Sequence, residues 1–162
     1  MNIIVAIDEN WAIGYKNDLL IKIKEDMKHF KQKTMNNIVV MGRLTFESLP
    51  EQKPLKNRIN IVLTRDCSFK AEGTTVCHDI ETVLSIAKAG EKETFIIGGE
   101  QIYKLFIPYC KKAFITKIYH SFKADKYIPN FINSPDWEMI EESELFEADE
   151  SIKYQFLVYK KI

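Results

Sequence analysis

Apolar residues recur along the chain in two rhythms. Runs rich in Ile, Val and Phe, the mark of strands buried on both faces, occupy 3–7, 38–41, 59–63, 74–77, 95–97 and 113–119. Two longer runs follow at 137–146 and 152–159, and in the second Ile152, Tyr154, Phe156 and Val158 alternate onto one face. The polar stretch Glu147–Ser151 between them predicts an antiparallel hairpin. Helical spacing fills the gaps. Ile23, Met27, Phe30 and Thr34 repeat within 23–34, and Ile80, Val83, Leu84 and Ala87 within 80–88, behind Asp79 as N-cap. A third helix is expected from Gly99 to Phe106, stopped by Pro108, and a short one over Leu44–Leu49, ended by Pro50. Strand and helix alternate to residue 119 and two strands close the chain. This predicts one α/β domain over 1–162, with a mostly parallel mixed sheet, a C-terminal antiparallel hairpin and four flanking helices.

Length and composition agree: 162 residues suit one ordinary domain, and 46% hydrophobic with 28% charged residues is globular. The 23 basic and 23 acidic residues cancel, which argues against a basic nucleic-acid binder. The cancellation is uneven. Residues 136–150 hold eight acids and no base, so the remainder carries 23 bases against 15 acids, a net +8. A local anion site therefore stays open. Cys67, Cys77 and Cys110 are odd in number and widely spaced, and His29, His78 and His120 show no ligand spacing, so neither a metal nor a disulfide framework is expected. The apolar run Ile3–Ile7 is too short for a signal peptide, and nothing approaches the ~20 apolar residues of a membrane helix. A cytoplasmic chain without membrane contact is the expectation.

Four places invite chemistry. At about 100° per residue, Asp26 falls beside Met27 and Phe30 on the apolar stripe of its helix. A carboxylate there is costly unless it is paired or reserved for a ligand, although at the edge of the stripe it would simply reach solvent. Ile96-Ile97-Gly98-Gly99-Glu100-Gln101-Ile102-Tyr103 delivers a strand to a glycine pair and a helix start, either a tight turn or a backbone anion site. Met41-Gly42-Arg43-Leu44-Thr45 repeats that plan, with Arg43 and Thr45 at a helix start. Thr64-Arg65 follows the strand at 59–63. Ligands of open α/β sheets gather beyond the carboxyl ends of strands, and two arginines exceed the needs of a pyrophosphate, which suggests a dinucleotide bearing an extra phosphate. Neither the Gly-x-Gly-x-x-Gly nor the Walker pattern is present.

Ala6, Ile13-Gly14, Asn17, Asp26, Phe30, Thr34, Met41-Gly42-Arg43, Thr45, Glu47-Ser48, Leu55, Arg58, Ile97-Gly98-Gly99, Tyr103, Thr116 and Asp125 stand in the order and spacing of bacterial dihydrofolate reductases. The resemblance spans essentially the whole chain. It implies an eight-stranded mixed sheet with four helices, and reduction of 7,8-dihydrofolate by NADPH, with hydride passing to C6 of the pterin and a proton to N5. Asp26 resembles the carboxylate that pairs with the pterin, and Thr116 the threonine that supports it. Ala6, Met27, Phe30, Leu49 and Leu55 would wall the substrate and Arg58 would fork onto its glutamate. Ala6, Ile13 and Ile97 would flank the nicotinamide, with Gly14 also binding the cofactor. Gly42, Arg43, Leu44 and Thr45, with Gly98, Gly99, Glu100, Gln101, Ile102 and Tyr103, would hold the pyrophosphate end. Arg43, Thr64 and Arg65 would read the 2′-phosphate. The resemblance also implies a cis Gly98–Gly99 peptide, a mobile loop over 14–23, a monomer, and folate-like inhibitors as ligands.

Two departures stand out. Leu20-Ile21 replaces the Pro-Trp pair common in relatives, removing an indole N–H that usually holds a water near the carboxylate. Glu100 replaces a small residue after the glycine pair, and its charge must turn outward or oppose the pyrophosphate. Two other functions are compatible with these residues. One is a same-fold NADPH reductase of riboflavin synthesis, against which the Asp26 helix and Arg58 speak. The other is a catalytically silent NADPH- or folate-binding module, supported only by Leu20-Ile21. Lys22, Lys24, Lys28, Lys31 and Lys33 read as a solvated helix face, and His78 as a surface histidine.

Overall fold

The computed structural model describes residues 1–162, the side chain of Glu150 excepted. Its elements are β1 (Asn2–Ile7), β2 (Ala12–Gly14), α1 (Lys24–Thr34), β3 (Ile38–Gly42), α2 (Arg43–Glu47), β4 (Ile59–Leu63), β5 (Thr74–Cys77) and α3 (Ile80–Ala89). There follow β6 (Thr94–Gly98), α4 (Glu100–Phe106), β7 (Lys112–Tyr119), β8 (Lys126–Tyr127), β9 (Trp137–Glu142), β10 (Phe146–Glu147) and β11 (Lys153–Lys161). The strands β5-β4-β3-β6-β1-β7 are mutually parallel, β11 runs antiparallel beside β7, and β9 and β10 share the outer edge of β11. Eight strand positions therefore cross the sheet, with β2 and β8 forming a separate antiparallel pair.

The order of the strands dictates where the helices lie. The steps β1-α1-β3 and β3-α2-β4 move one way across the sheet, while β5-α3-β6 and β6-α4-β7 move back. Right-handed crossovers then put α1 and α2 on one face and α3 and α4 on the other. The burial pattern matches: Ile3, Val5, Ile7, Val40, Ile61, Ile96 and Ile115 pack with Val83, Tyr103 and Phe106. Their neighbours in the pleat, Ile4, Phe95 and Phe114, meet Phe30, and Val39, Met41 and Val62 meet Phe46. The direction of crossing reverses between β1 and β6, and that reversal opens a crevice at their carboxyl ends.

Asp79 caps α3 by accepting from Thr82 N at 2.7 Å, as its position predicts. Other boundaries move. The expected 137–146 strand breaks at 143–145, where Ser143 bonds through both its hydroxyl and its amide to the backbone of Phe156, and the register against β11 has already slipped between Val158 and Tyr159. Glu147, expected in the connecting turn, pairs with Lys153. The short helix begins at Arg43 and ends at Glu47, and Pro50 starts a separate 3₁₀ turn. Pro108 likewise lies inside a 3₁₀ turn that continues from α4. The β2–β8 pair has no counterpart in the sequence pattern, since strands of three and two residues show no period. Among the described residues no helix is long and apolar enough to cross a membrane.

Candidate functional site

The crevice is built from residues at the ends of four adjacent strands. Register aligns Gly42 with Leu63 and Leu63 with Cys77, so the next residues along, Arg43, Thr64 and His78, form a row. His78 belongs to this row: its Nδ1 lies 2.8 Å from the Thr64 carbonyl oxygen. Arg65 projects into solvent beside it. Arg43 Nη1 is held by Glu47 Oε1 at 2.8 Å, one helical turn on.

Next to that row the starts of α2 and α4 face each other with little between them. A Cβ on Gly42 would stand 3.0 Å from Ile102 Cγ1, and one on Gly99 3.5 Å from Thr45 Oγ1. Gly98 has a φ of 117° and a Cβ there would press on the Tyr103 ring at 3.1 Å, so glycine is required on two counts. The Gly98–Gly99 peptide is cis. Tyr103 itself is buried and donates its hydroxyl to the Ile4 carbonyl at 2.8 Å, supporting the turn from below. Gln101 is exposed and Ile102 half-buried against Gly42. Backbone amides thus lie where side chains would crowd, and this is the cradle a pyrophosphate needs. The residues present fit an anionic dinucleotide.

On the other side of the crevice stands the carboxylate. Ala6 registers with Thr116 across β1 and β7, and Thr116 Oγ1 donates to Asp26 Oδ1 at 2.5 Å. Burial holds the Asp26 carboxyl above its ordinary range, and the Thr116 bond opposes that rise without cancelling it. Ala6 and Ile97, on the two central strands, remain half-open although their strand neighbours are buried, and they form the floor between α1 and α2. Phe30, Leu49 and Leu55 are half-buried on that face, and Met27 is 50% exposed. Arg58 closes the far end: its Nη1 donates to Thr34 Oγ1 at 3.1 Å and its Nε to the Lys56 carbonyl at 2.9 Å. An ionised carboxylate in such a slot accepts two parallel N–H bonds from an amidine-like ring edge, a strong and orienting contact.

The loop after β2 roofs the crevice. Ile13 is half-buried and Gly14 buried, and Asp125 binds both sides of the loop: its N donates to the Gly14 carbonyl at 3.1 Å and its Oδ2 accepts from Lys16 N at 3.0 Å. Asn17, in left-handed backbone with φ 59°, donates Nδ2 to the Leu44 carbonyl at 3.2 Å. Ile21 packs against the cluster of Ile23, Ile118 and Tyr154, filling with methyl groups the place expected of an indole. Sequence reasoning missed Asp8. It is fully buried and accepts from the amides of Asn10, Ala12 and Phe122 at 2.8, 3.0 and 3.0 Å, which fixes the turn out of β1. Its only signal was an acid ending an apolar strand. Lys22, Lys24, Lys28, Lys31 and Lys33 are exposed as expected. A surface concavity of about 630 Å³ lies elsewhere, between Phe46, Pro54 and Phe69 at the outer end of α2. Its lining includes Glu47 and Lys56 but neither Asp26, the glycine turns nor Arg58.

Comparison with known proteins agrees with this geometry. The family model for dihydrofolate reductase matches residues 1–161. The dihydrofolate reductase of Bacillus subtilis is 39% identical over 99% of this chain and 94% of its own length. That of Staphylococcus haemolyticus is 34% identical over 100% and 96%. A solved structure, dihydrofolate reductase from Enterococcus faecalis complexed with NADP(H) and RAB-propyl, superposes with a TM-score of 0.90 at 34% identity, covering 99% of this chain and 95% of that one. A chain whose whole length matches in sequence and whose crevice is built from the matching residues belongs to the dihydrofolate reductase family.

Proposed function

We propose that this chain reduces 7,8-dihydrofolate to 5,6,7,8-tetrahydrofolate with NADPH, as a single-domain monomer in the cytoplasm. The observation that carries the reading is the bond from buried Thr116 to the half-buried Asp26 carboxylate, beside a floor left open at Ala6 and Ile97. NADPH, when bound, supplies the hydride. The chain does the rest. Asp26 accepts the pterin's ring N–H and 2-amino group in a two-pronged bond, fixing the ring's face and orientation. Thr116 holds the carboxylate in register with that edge. Reduction of an unprotonated imine would leave charge on N5, so protonation there lowers the barrier. The proton reaches N5 by water, since the carboxylate serves the opposite edge of the ring. With Ile21 at the loop, that water is held without an indole donor.

Met27, Phe30, Leu49 and Leu55 wall the pterin and p-aminobenzoyl rings, and Arg58 takes the glutamate carboxylate. Gly42 to Thr45 and Gly99 to Ile102 present amides to the pyrophosphate. Arg43, Thr64 and Arg65 read the 2′-phosphate, and folate-like inhibitors compete for the Asp26 slot. Loss of NADPH absorbance on adding dihydrofolate tests the whole reading, and absence of turnover above background would overturn it. The cofactor assignment has its own test. Arg43→Ala is expected to narrow the preference for NADPH over NADH about tenfold, the worth of one charge-assisted contact. An unchanged ratio would move that selectivity to Arg65.

A further inference from the structure

Glu100 is the acidic residue at the glycine turns, and its side chain, only 20% exposed, does not point at the cradle. Its Oε1 accepts from the backbone N of Tyr127 at 3.2 Å and lies 3.6 Å from Lys104 Nζ. Tyr127 belongs to β8, whose other edge pairs with β2, Tyr127 opposite Ala12 and Lys126 opposite Gly14. The carboxylate thus occupies the free edge of a two-residue strand, where an amide would otherwise face water.

From there the contacts form a circuit. Asp125, next to β8, binds Gly14 and Lys16, Asn17 reaches the Leu44 carbonyl of α2, and Thr45 of α2 stands against Gly99, one residue before Glu100. The circuit encloses the crevice. Without Glu100 it would be open between the glycine turn and β8. We propose that Glu100 is a positioning residue that ties the glycine turn to the β2–β8 pair, and thereby holds the 14–18 loop shut over bound cofactor. The inference rests on the reductase reading for the identity of that cofactor, but not for the tether itself. Its charge is turned away from the cradle and faces Lys104, so it does not repel a pyrophosphate. The acceptor oxygen matters, not the charge.

Two variants separate these roles. Glu100→Ala removes the acceptor, whereas Glu100→Gln keeps an oxygen for Tyr127 N and loses only the charge. Hydrogen exchange of the free protein and the stopped-flow release rate of NADPH are measured on all three chains. Glu100→Ala is expected to speed exchange at residues 12–16 and 125–127 and to raise NADPH release, each roughly tenfold, as for loss of a hydrogen bond to a charged acceptor. Glu100→Gln should restore both to within about threefold of the parent, since a neutral acceptor is somewhat weaker. If both variants instead slow NADPH release equally, Glu100 acts by repulsion and the tether is wrong. Unchanged exchange and release in Glu100→Ala would also overturn it. A parent chain that fails to bind NADPH overturns the reading of the crevice, while the exchange measurement still decides the tether.

Discussion

Asp26→Asn loses turnover roughly 100- to 1,000-fold while NADPH affinity stays within about twofold, because the variant keeps the slot's shape but forfeits the ionised acceptor that orients the pterin. Steady-state kinetics and NADPH titration check the split, and equal losses in both would remove Asp26 from the role assigned to it. The same substitution has the opposite effect on the fold. Burial raises the folded pKa of Asp26 above the unfolded value, so the folded chain binds that proton more tightly. Its contribution to stability is complete below the unfolded value and is lost as pH rises through the raised one. Once ionised, the group is a partly desolvated charge that destabilises the fold. Asparagine removes the charge and its side-chain oxygen still accepts from Thr116. A gain of about 1 kcal/mol is expected at neutral pH, the cost of an incompletely compensated buried polar group. Thermal unfolding at neutral and acid pH measures it, and the gain should shrink in acid, where the parent is protonated too. A variant less stable at neutral pH would make the carboxylate a structural group.

Arg58→Ala raises the KM for dihydrofolate roughly 100-fold and leaves kcat within a few fold, since a forked arginine–carboxylate contact binds ground and transition states alike. The guanidinium is already held on two sides, by Thr34 and by the Lys56 carbonyl, so the remaining N–H groups present a fixed fork at little entropic cost. Its removal strands nothing, because Thr34 still donates to the Phe30 carbonyl at 2.8 Å. A dihydropterin lacking the glutamate should be turned over equally by both proteins. Equal weakening toward both substrates would show that Arg58 shapes the slot rather than grips the carboxylate.

Much of this was legible in the residues. The central parallel strands are largely apolar runs because both faces are covered, and such runs are visible without any structure. The glycine turns are legible for a similar reason: Gly42 and Gly98 stand where a Cβ would be crowded, and a strand-glycine-helix pattern signals this locally. The broken edge strand was not legible. Residues 137–146 are as β-prone after Glu142 as before it, and only the bonds from Ser143 to Phe156, thirteen residues on, interrupt the ladder. Nor was the pair β2–β8, whose three and two residues form strands only because each is the other's neighbour.

The site divides along the same line. Spacing set Asp26 on the helix stripe but left it either a solvent-edge acid or a ligand group. The fold brought it to Thr116, ninety residues away, and partly out of solvent, which spacing could not show. The charge of Glu100 was plain from the sequence, and so was the need for it to turn from the cradle. Where it turned, toward the edge of β8, depended on which strand the fold brought within reach. By itself the sequence determined the periods of its elements, its turns and the residue types able to do the chemistry, since these follow from local sterics and hydrophobic pattern. Only the tertiary structure decided which of those residues meet, because contacts between distant segments depend on strand order and on the crevice opened where that order reverses.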